Sequence, residues 1–244
     1  MPQAVTPVAT PGAALLTLAP PIAAQAAARL AALIAGLRDA VLSSEASAHR
    51  SRGAAAVREQ VVSTEDEADI QATLGGDGRA FARLVARHQQ AVARHLLKFA
   101  RDAATREQLV QDTFVEAWSS LGSFRGRSPL QHWLLALATR VGYRHWTSQA
   151  REGRTASLDA LTPDELAALD GGAATDDPRE AAELVHRLLA RLSPRDRLVL
   201  TLLHLDGRSV AETAELTGWS RALVKVQAFR ARARLRALID GGGR

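Results

Sequence analysis

The spacing of apolar residues is helical over most of the last three-quarters of this chain. Apolar positions recur every three or four residues, and no stretch sustains the alternation of apolar and polar residues that is typical of a strand. Two Ser-Pro pairs, at 128–129 and 193–194, are predicted to cap and open helices. The chain is therefore predicted to be all-α, with helices in residues 79–100, 104–121, 130–151, 177–192, 195–207, 209–216 and 223–238.

Charge and composition divide these helices into two groups. Residues 151–178 are rich in Gly, Ala and Asp, and residues 155–183 hold one arginine against eight acidic side chains. This predicts two small helical bundles, 65–150 and 179–240, joined by a flexible acidic linker, 151–178. The Pro/Ala/Thr-rich extension 1–64 is predicted to be partly disordered, with one possible helix from Pro21.

Several classes of protein are not favoured by the sequence. The chain has no cysteine, so it has no disulfide framework or thiolate metal site, and no motif of a metalloprotease, P-loop or serine hydrolase occurs. No window of about 20 apolar residues lacks helix breakers, and the N-terminus lacks a basic region that would suit a signal peptide. We therefore expect no catalytic residue, no cofactor, no metal, no membrane insertion and a cytoplasmic location.

The last helix carries a cationic face. The segment SVAETAEL, a turn with Gly218 and a longer helix have the spacing of a helix-turn-helix. On a helical wheel, Lys225 and Phe229 share a face with several arginines, and Arg230 and Arg234 flank it. An aromatic among cations suits base edges and thymine methyl groups in a major groove. We therefore predict DNA contacts from this face, with Arg234 contacting phosphates or remaining in water.

Aromatic and basic residues alternate at the end of the first bundle. Four of the chain's ten aromatic residues lie between Phe124 and Trp146. Stacking platforms beside cations are typical of single-strand binding. Trp133 lies on the apolar stripe and is interpreted as a core residue. The predicted single-strand surface comprises Phe124, Arg125, Arg127, His132, Arg140, Tyr143 and Arg144.

The preceding helix carries two carboxylates one turn apart, Asp112 and Glu116. Such a pair could serve acid–base chemistry, but no nucleophile, catalytic histidine or metal-ligand spacing accompanies it. We interpret the pair as part of a protein-docking face.

Three segments together resemble the extracytoplasmic-function sigma factors of the sigma-70 family. They are GDGRAFARLVARH, LVQDTFVEAWSSLGSFRGRSPLQHWLLALATR and the final block LARLSPRDRLVLTLLHLDGRSVAETAELTGWSRALVKVQAFRARARLRAL, in the family's order. The resemblance covers about residues 65–239. It implies an alternative sigma factor that binds core RNA polymerase, recognises −35 and −10 promoter elements and promotes DNA melting.

The resemblance also implies roles for particular residues. The first bundle would bind the polymerase clamp through Gln111, Asp112, Glu116 and Trp118, and would capture melted −10 bases with the surface named above. The second would contact the flap and read the duplex −35 element with Ser220, Arg221, Lys225, Gln227, Phe229 and Arg230. The group's usual further partner is an anti-sigma factor.

The sequence departs from the family pattern at a few positions. Arg127 stands where an acidic residue is usual, and Val226 and Gln227 replace Ser and Arg. Two alternatives stay open at this point. One is a helix-turn-helix regulator that does not bind core polymerase, and the other is a sigma mimic that sequesters an anti-sigma factor.

Overall fold

The computed structural model describes residues 63–153 and 178–241, and all its regular elements there are helical. The prediction of an all-α fold is confirmed. The predicted N-terminal helix and nearly all of the acidic linker lie outside the described residues. The first bundle comprises α1 (Thr64–Leu74), α2 (Gly78–Leu96), α3 (Ala103–Ser120) and α4 (Leu130–Arg151). The second comprises α5 (Pro178–Ala190), α6 (Pro194–Leu200), a π-helical turn (Thr201–Leu205), α7 (Val210–Thr217) and α8 (Arg221–Gly241).

Short polar side chains start two helices of the first bundle, α2 and α3. Asp77 accepts a hydrogen bond from the Arg79 backbone N–H at 2.9 Å, and Asp102 accepts one from the Thr105 N–H at 2.7 Å. The N–H of Thr105 lowers the pKa of the Asp102 carboxyl, because the bond favours the charged form. These caps satisfy backbone donors that the first turn of a helix leaves without partners.

The two Ser-Pro pairs behave differently. Ser193 caps α6 by accepting a hydrogen bond from the Asp196 N–H at 3.2 Å, as predicted. Helix α4 begins at Leu130, so Pro129 occupies the N-cap position and no side chain caps the helix. The predicted cap by Ser128 is therefore wrong, because the helix starts one residue later than the pair suggests.

A close approach between α4 and the segment before α3 fixes the centre of the first bundle. The Trp146 indole N–H donates to the Phe99 carbonyl at 2.9 Å, and the two rings lie 4.6 Å apart. Gly142 lies one turn before Trp146, where a Cβ would come within 2.2 Å of the Phe99 ring. The absence of a side chain at Gly142 lets the phenyl ring lie directly on the helix.

The two bundles share part of one apolar core. Buried Leu198, Leu202 and Leu216 belong to the second bundle by sequence, yet they join the core cluster of the first. The rest of the second bundle has its own core on one face of α8, with Val224 and Leu235 fully buried. Helices α6 and α7 therefore pack between α8 on one side and α4 on the other.

Candidate nucleic-acid interface

Two caps and one glycine build the helix-turn-helix of the second bundle. Ser209 and Glu212 form a reciprocal capping box at the start of α7, and the Ser209 N–H lowers the pKa of the Glu212 carboxyl. Gly218 ends α7 with a left-handed φ of 73°, which a residue with a side chain adopts at a cost. The Ser220 hydroxyl then accepts a hydrogen bond from the Leu223 N–H at 3.2 Å and starts α8.

Helix α8 has one buried face and one exposed cationic face. Exposed Arg221, Lys225 and Arg230 surround Phe229, whose side chain is 69% exposed. An apolar ring that gains little from the protein core is available to a ligand, and the neighbouring cations favour a polyanion. The predicted arrangement of this face is therefore present for Ser220 and these four residues.

Gln227 does not belong to that face. Its side chain is buried, and its amide donates to Asp196 Oδ1 at 2.6 Å. Its prediction as a base-reading residue is wrong, because the amide holds α8 against α6. The spacing could have revealed this, since Val224, Gln227, Ala228 and Ala231 follow the three-and-four rhythm of the buried stripe.

Arg234 also has a different partner from the one predicted. Its guanidinium donates to the other oxygen of Asp196, Oδ2, at 2.6 Å. Asp196 is fully buried and needs these donors, because an unpaired buried carboxylate is strongly destabilising. The expectation that Arg234 contacts only phosphate or water is therefore wrong.

The aromatic and basic residues of the first bundle form a surface along the loop after α3 and along α4. Phe124 is half-buried and its ring lies 5.4 Å from that of Trp133, so it packs on the bundle rather than extending into solvent. Four cations of the predicted single-strand surface are exposed together with His132: Arg125, Arg127, Arg140 and Arg144.

Tyr143 has a partner from the second bundle. Its ring stands perpendicular to the Trp219 indole, with 6.3 Å between centroids. Trp219 lies in the turn of the helix-turn-helix, immediately before Ser220. In this arrangement Tyr143 is partly buried, and sequence reasoning gave no sign of this contact.

The predicted docking face on α3 is connected to the cations of α4. Glu116 pairs with Arg144 at 2.5 Å and lies 3.7 Å from Arg140, whereas exposed Asp112 accepts a hydrogen bond from Gln108 at 3.1 Å. Gln111 is exposed beside it. Thus Glu116 belongs to both the predicted docking face and the predicted single-strand surface.

An apolar patch extends the docking face. Trp118 is 49% exposed and stands edge-on to Phe81, with ring centroids 4.9 Å apart, and Val115 is 66% exposed. Val115 was missed by sequence reasoning, although it lies three residues before Trp118 and off the buried stripe of α3. Exposed apolar side chains that include an aromatic ring are typical of a protein interface.

The described residues give no sign of metal chemistry or of a membrane span. Across 63–153 and 178–241, no group of three or more His, Asp or Glu side chains could hold a metal ion. No helix in the same two ranges combines the length and hydropathy needed to cross a bilayer.

A cation-lined helix-turn-helix in the second bundle, beside a first bundle with an aromatic and basic surface, is typical of a two-part DNA-binding regulatory protein. Residues 84–152 match the family described as Sigma-70 region 2, and residues 182–235 match Sigma-70, region 4. RNA polymerase sigma factor CnrH of Cupriavidus metallidurans is 34% identical over 177 residues, which span 68% of this chain and 89% of the relative. The ECF RNA polymerase sigma-E factor of Escherichia coli K12 is 29% identical over 175 residues, 68% of this chain and 90% of that one.

Solved structures also align with this chain. CnrH in complex with the cytosolic domain of CnrY aligns with a TM-score of 0.45 and 28% identity, covering 72% of this chain and 98% of that one. The sigma factor RpoE with the anti-sigma factor NepR from Bartonella quintana aligns with a TM-score of 0.43 and 22% identity, covering 66% and 96%. On the sequence matches, the chain belongs to the extracytoplasmic-function group of the sigma-70 family, and it is an alternative sigma factor of transcription initiation.

Proposed function

We propose that this sigma factor reads the −35 element with the exposed face of α8. The observation that carries this proposal is Phe229, which is 69% exposed between Lys225 and Arg230 on the second helix of the helix-turn-helix. Arginine and lysine recognise guanine edges in the major groove, and an apolar ring suits the thymine methyl group. Ser220 and Arg221 start the same helix and lie where its N-terminal turn would enter the groove.

We infer that the first bundle captures the melted −10 strand. The exposed cations Arg125, Arg127, Arg140 and Arg144, with His132, would attract the sugar-phosphate backbone. Phe124 and Tyr143 would offer rings on which bases stack. Both rings have packing partners in the described arrangement, Trp133 and Trp219, so base capture requires them to be uncovered.

The docking face of α3 is proposed to bind the clamp of core RNA polymerase. Gln111, Asp112, Glu116 and Trp118 form a surface that joins carboxylates to an exposed apolar ring. The second bundle is proposed to contact the flap, and an anti-sigma factor is the further partner that the family implies. On this proposal the chain acts in the cytoplasm as a specificity subunit and performs no catalysis itself.

The test is capture of core RNA polymerase, followed by transcription and permanganate footprinting of the melted promoter. We expect Trp118→Ala to weaken polymerase capture by about tenfold or more, as is usual for an aromatic anchor of an interface. Ser119→Ala is the matched control, because Ser119 is the exposed neighbour on the same helix. Its capture should be unchanged.

The other outcomes distinguish the alternatives. Failure of the wild-type chain to capture core polymerase, with duplex binding intact, would favour a regulator that acts without polymerase. Failure of both polymerase capture and duplex binding, with capture of an anti-sigma factor, would favour a sigma mimic. Equal capture by the Trp118 and Ser119 variants would remove the docking face from the proposal.

A further inference from the structure

An apolar line of side chains runs along the middle of the exposed face of α8, and we call it the apolar ridge. It consists of Ala222, Val226, Phe229 and Ala233, whose spacing of four, three and four residues places them on one side of the helix. All four are exposed, Val226 by 46% and Phe229 by 69%. Of the ridge, only Phe229 belongs to the base-reading face proposed above.

The buried side of α8 fixes the direction in which the ridge points. Val224 and Leu235 are fully buried, and at about 100° per residue they lie on the opposite side of the helix from the ridge. The Gln227 amide and the Arg234 guanidinium both donate to Asp196, each at 2.6 Å, and hold α8 against α6. The ridge therefore lies along the side of α8 that faces away from the core of its bundle.

The fold alone does not account for Val226. A β-branched side chain loses freedom against the preceding turn of a helix, so an exposed valine gains nothing from helical propensity and little from burial. Exposed apolar side chains are common singly, but Val226 lies one turn from Phe229 on the same face. Two adjacent apolar side chains on a proposed binding face indicate a ligand that offers apolar groups there.

Cations border the ridge on both sides. Arg221 and Lys225 lie on one side of it and Arg230 on the other, and all three are exposed. A matching ligand is therefore anionic along both edges of the helix and apolar at its centre. The major groove of duplex DNA has both properties, because phosphates line its edges and the 5-methyl group of thymine is the apolar group on its floor.

Position 226 recognises a different chemical group in this chain than the serine of the family pattern would. A serine hydroxyl pairs with either a donor or an acceptor on a base, whereas Val226 pairs with neither. A base edge that presents N7, O6 or the N4 amino group to Val226 loses water without gaining a hydrogen bond, which is unfavourable. A thymine methyl group incurs no such loss and gains from the apolar contact.

We propose that Val226 is a specificity-determining residue, and that Val226 and Phe229 together select two thymines at neighbouring positions of the −35 element by their 5-methyl groups. This inference rests on the proposed reading of the −35 element by α8. Side chains three residues apart on a helix have Cβ atoms about 5–6 Å apart, and base pairs stack at about 3.4 Å. The two methyl groups therefore lie within about two base-pair steps of each other.

The first experiment removes single methyl groups from the DNA. Holoenzyme assembled from the full chain and core RNA polymerase selects its preferred −35 element from a randomised duplex library. Each thymidine of that element is then replaced in turn by deoxyuridine, which lacks only the 5-methyl group. We expect about fourfold weaker binding at two neighbouring positions, the equivalent of about 0.8 kcal/mol for one buried hydrocarbon group, and little change at the others.

Two protein variants assign these positions to their side chains. Val226→Ser should bind thymidine and deoxyuridine equally at one position and keep the preference at the other, and Phe229→Ala should do the reverse. Ala237→Ser is the matched control, because Ala237 is exposed on the same helix roughly 16 Å beyond Val226, and it should keep both preferences. All three positions are exposed, so the variants should unfold like the wild type.

The outcomes separate this inference from the function on which it rests. A selected element without neighbouring thymines, or equal binding of thymidine and deoxyuridine by the wild type, would overturn the selection by methyl groups. Preferences that survive at both positions in Val226→Ser would overturn the role of Val226, and weaker capture of core polymerase by that variant would then assign the ridge to a protein contact. Failure of the wild-type holoenzyme to select any −35 element would overturn the proposed reading by α8, and this inference with it.

Discussion

Two arginines of α8, four residues apart, have different physical roles. Arg230 is exposed beside Phe229, and nothing in its position ties it to the fold. Arg234 donates to Asp196, a fully buried carboxylate that also accepts from the Gln227 amide. On this one helix, Arg234 therefore stabilises a buried acid, whereas Arg230 is proposed to read bases.

This difference predicts opposite behaviour of two alanine variants. Arg234→Ala should lower the free energy of unfolding by about 2 kcal/mol, because Asp196 loses its charged partner while Gln227 still donates. Its preferred −35 sequence should stay that of the wild type. Arg230→Ala should unfold like the wild type but lose about 1–3 kcal/mol of discrimination at particular −35 positions.

Urea unfolding and selection from a −35 promoter library, on both variants, measure these two effects. Equal loss of stability in the two variants would contradict the role given to Asp196. An unchanged library preference in the Arg230 variant would contradict its role in reading bases.

At the scale of an element, α4 depends on a residue that has no side chain. Gly142 lies where a Cβ would come within 2.2 Å of the Phe99 ring, and Phe99 is held by Trp146 on the same helix. Helical propensity alone would favour alanine at this position by about 1 kcal/mol. The packing of the ring overrides propensity, since neither the helix nor the buried phenyl group can move away easily.

Gly142→Ala is therefore predicted to destabilise the first bundle by about 1–3 kcal/mol, as overpacking does in well-packed cores. Gly78→Ala is the matched control, because Gly78 is also helical and a Cβ there meets nothing within 4 Å. Thermal unfolding followed by circular dichroism compares the two. A melting temperature for Gly142→Ala at or above that of Gly78→Ala would show that the ring gives way.

Sequence patterns predicted which segments are helical better than they predicted how helices begin. The capping residue Ser193 has Asp196 three positions later, and their side chains bond at 2.7 Å, so the pattern and the geometry agree. Ser128 has Gln131 at that spacing, and α4 starts after Pro129 instead. In the candidate site, the helical wheel predicted correctly which cations of α8 are exposed. It did not predict the burial of Gln227, because this polar residue was interpreted by its type rather than by its spacing on the buried stripe.

At the scale of the whole molecule, periodicity shows that a residue is buried but not what covers it. Leu198, Leu202 and Leu216 lie at helical spacing within the second bundle, yet they pack into the core of the first. Likewise, Tyr143 and Trp219 are far apart in sequence, and neither carries a local signal of the other. The contact between the bundles therefore became visible only in three dimensions.

This contact predicts a dependence of stability on pH. His186 of α5 lies near two cations, Arg101 from the first bundle and Arg197 from α6, with Glu183 one turn away on its own helix. Burial, aided by both guanidinium groups, lowers the pKa of His186 from its ordinary 6.5 to about 4. Because Arg101 belongs to the other bundle, part of this shift exists only while the bundles are docked.

The sign of the effect follows from which state binds the proton. Between pH 6.5 and about 4, the unfolded chain protonates His186 and the folded chain does not, so stability is full above pH 6.5 and is lost as the pH falls. At pH 5 the loss from this residue should be about 2 kcal/mol. His95, whose pKa burial also lowers, adds a loss in the same direction.

Urea unfolding at pH 7.5 and pH 5 checks this, with His186→Gln as the comparison, since glutamine is polar and does not titrate. The wild type should lose more stability between the two pH values than the variant. Identical losses in wild type and variant would mean that His186 titrates as it does in water. The imidazole would then be open to solvent in the folded protein, and the burial that lowers its pKa would be absent.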